Sequence, residues 1–262
     1  MLTFVKAHAY GNDFLYVERA TTVDQDLAAL ARELCDRHTG IGADGLILYS
    51  RTADGATMTL FNADGGKAEV SGNGVRGLAA LLLRDVDAVD AEAVISTEAG
   101  ARRFARTARS ATRQTFRGEM GTPAGIRRTS ILAAGETLAA VTLSMGNPQC
   151  VILGPLPEDE RFQRVGAALE HHLMFPEGTN VEFVDVEAPD RLRIRIWERG
   201  CGPTLSSGTG SCASLVAAAS FGSALRSADV VAPGGIQRVD WLADGVYLTG
   251  WAELVAEGRW LR

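Results

Sequence analysis

Two serines in this chain each stand directly before a glycine-rich helix start: Ser71-Gly72-Asn73-Gly74 and Ser207-Gly208-Thr209-Gly210. A helix N-terminus carries N–H groups with no acceptor in its own helix and a partial positive charge, so it suits a carboxylate or a phosphate. A serine at that place caps the helix with its side-chain oxygen. Duplication adds a second chemistry. Two equivalent side chains on opposite sides of one bound anion can take a proton from one face of a carbon and return one to the other.

The serine motif is one of four landmarks that occur twice. Gly11-Asn12-Asp13-Phe14 is echoed by Gly146-Asn147-Pro148-Gln149, Gly42-Ala43-Asp44-Gly45-Leu46 by Gly178-Thr179-Asn180-Val181-Glu182, and Phe61-Asn62 by Trp197-Glu198, at offsets of 135, 136 and 136 residues, with 136 again for the serine motifs. Preserved order and spacing predict two copies of one α/β unit whose helix starts face a shared cleft. Asn12, Asn62, Asn147 and Asn180 lie in or beside turns, where asparagine also serves local backbone needs. As a set they suit a small zwitterionic ligand. Glu198-Arg199 offers an acceptor for an ammonium and a planar fork for a carboxylate, or equally a surface ion pair.

These residues need elements to hold them. A hairpin is expected from Phe4–Ala9 and Phe14–Val17, a helix over 26–37 with Leu27, Leu30, Ala31 and Leu34 on one stripe, and strands at Gly45–Tyr49 and Thr57–Phe61. Val75–Leu83 is apolar on nearly every side except Arg76, which marks a helix buried within its unit. The second half predicts strands near 138–143, 150–153, 181–184 and 192–197, then a helix over 211–219 with Cys212, Leu215, Val216 and Ala219 on one stripe. Gly118–Gly125 carries the breakers of a linker. The expected domains are therefore 1–118, with 250–262 as a possible addition, and 119–249.

The chain has 262 residues, enough for one large or two smaller cores. A formal net charge of −6 argues against nucleic acid as a partner, because phosphate contacts demand a basic surface. Arg102, Arg103, Arg106, Arg109, Arg113 and Arg117 form the local exception and are expected on a solvated face. No apolar run reaches the length of a membrane helix, and the first residues lack a secretion signal, so a cytoplasmic location is expected. Cys35, Cys150, Cys201 and Cys212 have no metal-finger spacing and are expected to be reduced and mostly buried. No nucleotide-binding glycine motif, zinc set or activated lysine is present, since Lys6 and Lys67 are the only lysines. Neither metal nor organic cofactor is expected.

At these residues the sequence resembles diaminopimelate epimerase. The resemblance runs nearly end to end, through Lys6-Ala7-His8-Ala9-Tyr10-Gly11-Asn12-Asp13-Phe14, Gly42-Ala43-Asp44-Gly45, Phe61-Asn62-Ala63-Asp64-Gly65, Ser71-Gly72-Asn73-Gly74-Val75-Arg76, Met145-Gly146-Asn147-Pro148, Gly178-Thr179-Asn180-Val181-Glu182, and Glu198-Arg199-Gly200 with Gly208-Thr209-Gly210. It implies an α/β (α+β) fold of two pseudo-symmetric domains, each a mostly antiparallel sheet wrapped around a central helix, with the active site in the interdomain cleft. The implied activity is cofactor-independent interconversion of LL- and meso-diaminopimelate in lysine and peptidoglycan precursor synthesis. Asn62, Asn180, Glu198 and Arg199 would hold the distal amino and carboxylate groups, joined by Asn12 and Asn147. Gly72, Asn73, Gly208 and Thr209 would present backbone N–H groups to the carboxylate at the reacting carbon. A homodimer would suit the family.

The departures fall on the chemistry. Ser71 and Ser207 take the positions of the two bases, where the family pattern has cysteine, and Gln149 stands where it has histidine. A thiol at a helix N-terminus supplies thiolate, whereas a hydroxyl is a weak base unless a neighbour activates it. Three accounts fit: a double Cys-to-Ser form, a natural relative with another acid/base set, or a protein that binds diaminopimelate without turnover. An isomerase or dehydratase on the same scaffold, with Glu198 or Asp64 as base, is a further alternative.

Overall fold

Each half of the chain is built around one helix. In the computed structural model, which describes residues 2–68, 71–98 and 100–261, the chain divides into two compact units, Met1–Gly118 with Gly250–Arg262, and Glu119–Thr249. The first unit contains β1 (Leu2–Ala9), β2 (Asn12–Glu18), α1 (Leu27–Cys35), β3 (Gly45–Arg51), β4 (Gly55–Asn62), the short β5 (Lys67–Ala68), α2 (Gly72–Leu82), β6 (Glu92–Thr97), β7 (Gly100–Arg109) and β8 (Arg113–Gly121), whose last residues enter the second unit. The second contains β9 (Ala124–Ala133), β10 (Glu136–Ser144), β11 (Pro148–Leu153), α3 (Asp159–Glu170), β12 (Asn180–Ala188), β13 (Arg191–Glu198), the short β14 (Gly202–Thr204), α4 (Gly208–Phe221), β15 (Ser227–Ala232), β16 (Gly235–Trp241) and the start of β17 (Val246–Trp260). The fold is α+β, mostly strand with few helices.

The two units have one topology. In the first, strands neighbour one another in the order β17, β1, β2, β3, β4, β6, β7, β8; in the second the order is β9, β10, β11, β12, β13, β15, β16, β17. Both successions run antiparallel, antiparallel, parallel, antiparallel, parallel, antiparallel, antiparallel. A parallel pair needs a crossover, and the four helices supply them: α1 and α2 in the first unit, α3 and α4 in the second. In the first unit β8 also pairs with β17, which closes the ring.

Strands covered on both faces read as continuous apolar runs, and this explains β3. Leu46 and Leu48 pack with α1 in one cluster, while Ile47 and Tyr49 pack with α2 in another. In β12 Val181 and Phe183 face the α3 cluster, and Val184 faces the α4 cluster. The alternation puts Asn180 and Glu182 on the α4 side.

Several expectations need correction. Arg76, the apparent polar exception on α2, is 1% exposed; it donates to Asn73 Oδ1 at 3.1 Å and lies over the Tyr10 ring. The four-residue stripe foreseen on α4 was too narrow, because the helix is buried all round, Ala213, Ser214, Ala217 and Ala218 included. Gly118–Gly125 is no loose linker: β8 runs to Gly121 and β9 begins at Ala124, with Gly121 and Gly125 at positive φ. Arg106 is not on the solvated face with its neighbours. It is buried, donating to the carbonyls of Leu83, Val86 and Ala88 and to Gln114 Oε1. Cys35, Cys150 and Cys212 are buried and Cys201 is exposed, none of them in a disulfide. Among the described residues no helix is long and apolar enough to cross a membrane.

Candidate functional site

In the first unit the candidate residues begin with the turn between β1 and β2, where Tyr10 and Gly11 both have positive φ. The turn presents Asn12, whose Nδ2 donates to Asp44 Oδ2 at 2.7 Å and whose Oδ1 accepts from Asn73 Nδ2 at 3.4 Å. Below it Asp13 joins Lys6 at 2.9 Å and Arg37 at 2.8 Å, and Arg37 also reaches Asp44 at 2.7 Å. Burial alone would raise the Asp13 carboxyl, but the hydrogen bonds from Arg37 and Lys6 outweigh it and hold the group below the usual range. Asn62 ends β4 opposite Gly45. Its neighbour Asp64 accepts from the Gly66 amide at 2.7 Å, which makes its carboxylate part of a turn.

Ser71 ends this group as the N-cap of α2. Its backbone is extended, its Oγ accepts from the Gly74 amide at 3.2 Å, and its carbonyl accepts from Val75 at 2.9 Å. Ser207 repeats this at α4: an extended backbone, Oγ accepting from Gly210 at 3.2 Å, and the carbonyl accepting from Ser211 at 3.0 Å. In both helices the side-chain cap serves the third amide. The amides of Gly72 and Asn73, and of Gly208 and Thr209, have no acceptor within their own helix.

The remaining candidate residues belong to the second unit. Asn147 accepts from Gln149 Nε2 at 2.7 Å, and Gln149, fully buried, lies beside Asn180 in the parallel β11–β12 pair. Asn180 Oδ1 accepts from the Arg199 amide at 3.0 Å. The Arg199 stem crosses Gly178, and its guanidinium donates to the Glu177 carbonyl at 3.1 Å. Glu198 closes β13 on the same side as Ile196, which faces α4. The candidate residues thus gather in two groups, Asn12, Asn62, Ser71, Gly72 and Asn73 in one unit, and Asn147, Asn180, Glu198, Arg199, Ser207, Gly208 and Thr209 in the other.

Glu182 received no role from the sequence, although it lies inside a landmark. It is 0% exposed, and neither carboxyl oxygen has a hydrogen-bond partner among the described residues. Burial pushes its pKa well above the usual carboxylate range, and the nearby charge of Glu198 pushes it further. A polar residue within the apolar run Val181–Val184 was the available signal. Its counterpart in the first unit also differs from the one the repeat suggested. Equal offsets pair Glu182 with Leu46, but Leu46 faces α1. Strand register matches Asn12 with Asn147, Phe14 with Gln149 and Ile47 with Glu182. A Cβ on Gly74 would meet Ile47 Cδ1 at 2.8 Å, and one on Gly210 would meet Glu182 Oε1 at 2.7 Å. The loop before the second strand is one residue shorter than the repeat implied.

The capped helix start is duplicated, with Ser71 and Ser207 in matching roles. The sequence model of the diaminopimelate epimerase family matches residues 4–137 and 141–255. The chain belongs to the diaminopimelate epimerase family. It is 40% identical to the diaminopimelate epimerase of Desulforudis audaxviator, with all of both chains covered, and 37% identical to that of Synechocystis, with 98% of each covered. Solved structures with the same fold include a probable proline racemase from Agrobacterium radiobacter, at TM-score 0.77 and 16% identity, covering 100% of this chain and 93% of that one. A predicted epimerase from Pseudomonas aeruginosa superposes at TM-score 0.76 and 16% identity over 100% of both chains. Family membership places the chain among the isomerases, as an epimerase. Among the described residues no group of three or more His, Cys, Asp or Glu side chains is placed to hold a metal.

Proposed function

We propose that the chain interconverts LL- and meso-diaminopimelate by removing the proton at one carbon and returning one to its other face, without metal or organic cofactor. The observation that carries this reading is the matched geometry of Ser71 and Ser207, each an N-cap at the start of a buried helix. Proton exchange on both faces of one carbon requires one serine from each half. The amides of Gly72, Asn73, Gly208 and Thr209 stabilise the carboxylate next to that carbon as negative charge grows on it. Asn12, Asn62, Asn147, Asn180, Glu198 and Arg199 hold the distal amino and carboxylate groups. The product serves lysine and peptidoglycan precursor synthesis in the cytoplasm, and the working form is a homodimer whose mass sedimentation would measure.

Incubation with each isomer in deuterium oxide tests the chemistry, since an epimerase must wash out the α-hydrogen. The metal-stripped, chromophore-free protein should be as active as the untreated one. A second reading, binding without turnover, is favoured by one observation: both serine oxygens already accept from backbone amides. It predicts tight binding and no washout. Calorimetry with Arg199→Lys examines recognition in either case. Loss of the planar fork should weaken diaminopimelate binding by about 1–3 kcal/mol, the scale of a charge-assisted hydrogen bond. Unchanged affinity would show that Arg199 does not anchor the distal carboxylate.

A further inference from the structure

The two halves are alike in strand order, helix placement and caps, yet they differ where a base would need help. Beside the first turn of α2 the strands present Phe14 and Ile47, both apolar and buried. At the matching places beside α4 they present Gln149 and Glu182, both fully buried. A Cβ on Gly210 would lie 2.7 Å from Glu182 Oε1 and 3.2 Å from Ser207 Oγ. The two oxygens therefore flank the one position that glycine leaves without a side chain, near enough for a single water molecule or a side-chain rotation to join them.

A carboxyl with no partner in a core costs stability, and an isosteric apolar residue would remove that cost, as Ile47 does in the other half. Retention of the carboxyl beside a weakly basic hydroxyl points to a use. We propose that Glu182 holds the proton exchanged through Ser207 Oγ, acting as the acid/base partner that the serine lacks. This rests on the epimerase reading above. When the Cα–H bond breaks, Ser207 Oγ takes that proton, the hydroxyl's own proton passes to the Glu182 carboxylate, and the electron pair stays on Cα, delocalised into the substrate carboxylate. Return of a proton through Ser207 runs the same transfers backwards and restores the same isomer; in inversion Ser71 donates its hydroxyl proton from the other face, and exchange with solvent then re-protonates Ser71 and takes the proton from Glu182. Glu182 acts through Ser207, so it is a positioning residue of one half only.

Three other groups bear on its proton. Glu198, on β13, raises the carboxyl's affinity for a proton. The Cys150 thiol, on β11, is itself pushed up by burial and then by the Glu182 charge. The N-terminus of α4 acts in the opposite sense, favouring the carboxylate. A carboxylate with raised proton affinity is a stronger base than an ordinary one, which suits the transfer from serine.

The test compares α-hydrogen washout from the LL and meso isomers in the parent, Glu182→Gln, Glu182→Asp and Glu182→Leu. Because each face of the carbon is served by one serine, loss of Glu182 should slow washout from one isomer by about 100-fold or more, the usual contribution of a positioned acid/base. Washout from the other isomer should fall by less than about tenfold, while net inversion is lost in both directions. Glu182→Asp should recover part of the loss, and Glu182→Leu should melt no lower than the parent while remaining as slow as Glu182→Gln. Equal slowing of both isomers, or washout unchanged in Glu182→Gln, overturns the assignment and leaves the epimerase reading standing. Absence of washout in the parent overturns both.

Discussion

At the scale of single residues, Glu182 and Asp13 show how burial and partners decide the sign of a pH effect. Asp13 is partly buried but has Lys6 and Arg37 against it, so its folded pKa is depressed and the stability it contributes is lost as pH falls. Glu182 has no such partner, and its folded pKa is raised by burial and by Glu198. Its folded form binds more protons than its unfolded form. The stability of the parent, measured against Glu182→Gln, should therefore be greatest below the ordinary glutamate pKa of about 4.3 and should decline as pH climbs toward the folded value. Urea melts of both proteins across pH 4 to 8 check this, and a constant difference would show that Glu182 ionises normally in the fold.

At the scale of elements, each central helix is buried on nearly all sides and small where strands come close. On α2, Gly77 lies against Tyr16, whose hydroxyl donates to the Gly74 carbonyl at 2.8 Å; a Cβ at Gly77 would overlap that hydroxyl. The phenol is fully buried and its pKa is raised by that burial, so it cannot escape by ionising. Gly77→Ala raises helix propensity, yet overpacking should win and destabilise the first unit by about 1–3 kcal/mol. A thermal or urea melt reads the result. A gain in stability would mean that Tyr16 has room to move. Outside the ring, α1 is capped by Asp26, which accepts from Ala28 and Ala29 at 3.1 Å. This explains why a helix expected from residue 26 begins at Leu27.

At the scale of the whole chain, β17 is the element on which the first unit depends. Its residues from Gly250 onward pair with β1 through Leu2↔Trp260 to His8↔Glu253, and Trp251 and Ala252 join the first core. In the second unit the equivalent place is filled by β9, which is local to it. Ending the chain after Thr249 should expose the edge of β1 and open the first ring while leaving the second unit its own core. Hydrogen exchange should then lose protection across α2 and β1–β4 and keep it across α4 and β10–β13. Equal loss in both units would show that they fold as one cooperative body.

Most of the architecture was legible in the sequence because it is local or repeated. Glycine turns, capped helix starts and apolar runs depend on neighbouring residues, and the duplication made the family resemblance readable through Asn12, Asn62, Asn147, Asn180, Glu198 and Arg199. Helix α3 and the outer strands, β6–β9 and β15–β17, were not foreseen, since their sequences carry no landmark of the repeat. What tertiary structure decided is which side of each strand a residue faces. A one-residue difference in loop length shifted the true counterpart of Glu182 from Leu46 to Ile47, and with a period of two that shift moves a side chain from one face to the other. Burial of Arg76 and Arg106 was likewise outside the sequence's reach, because a charged side chain enters a core only when backbone carbonyls, rings or side-chain acceptors are assembled around it by the fold.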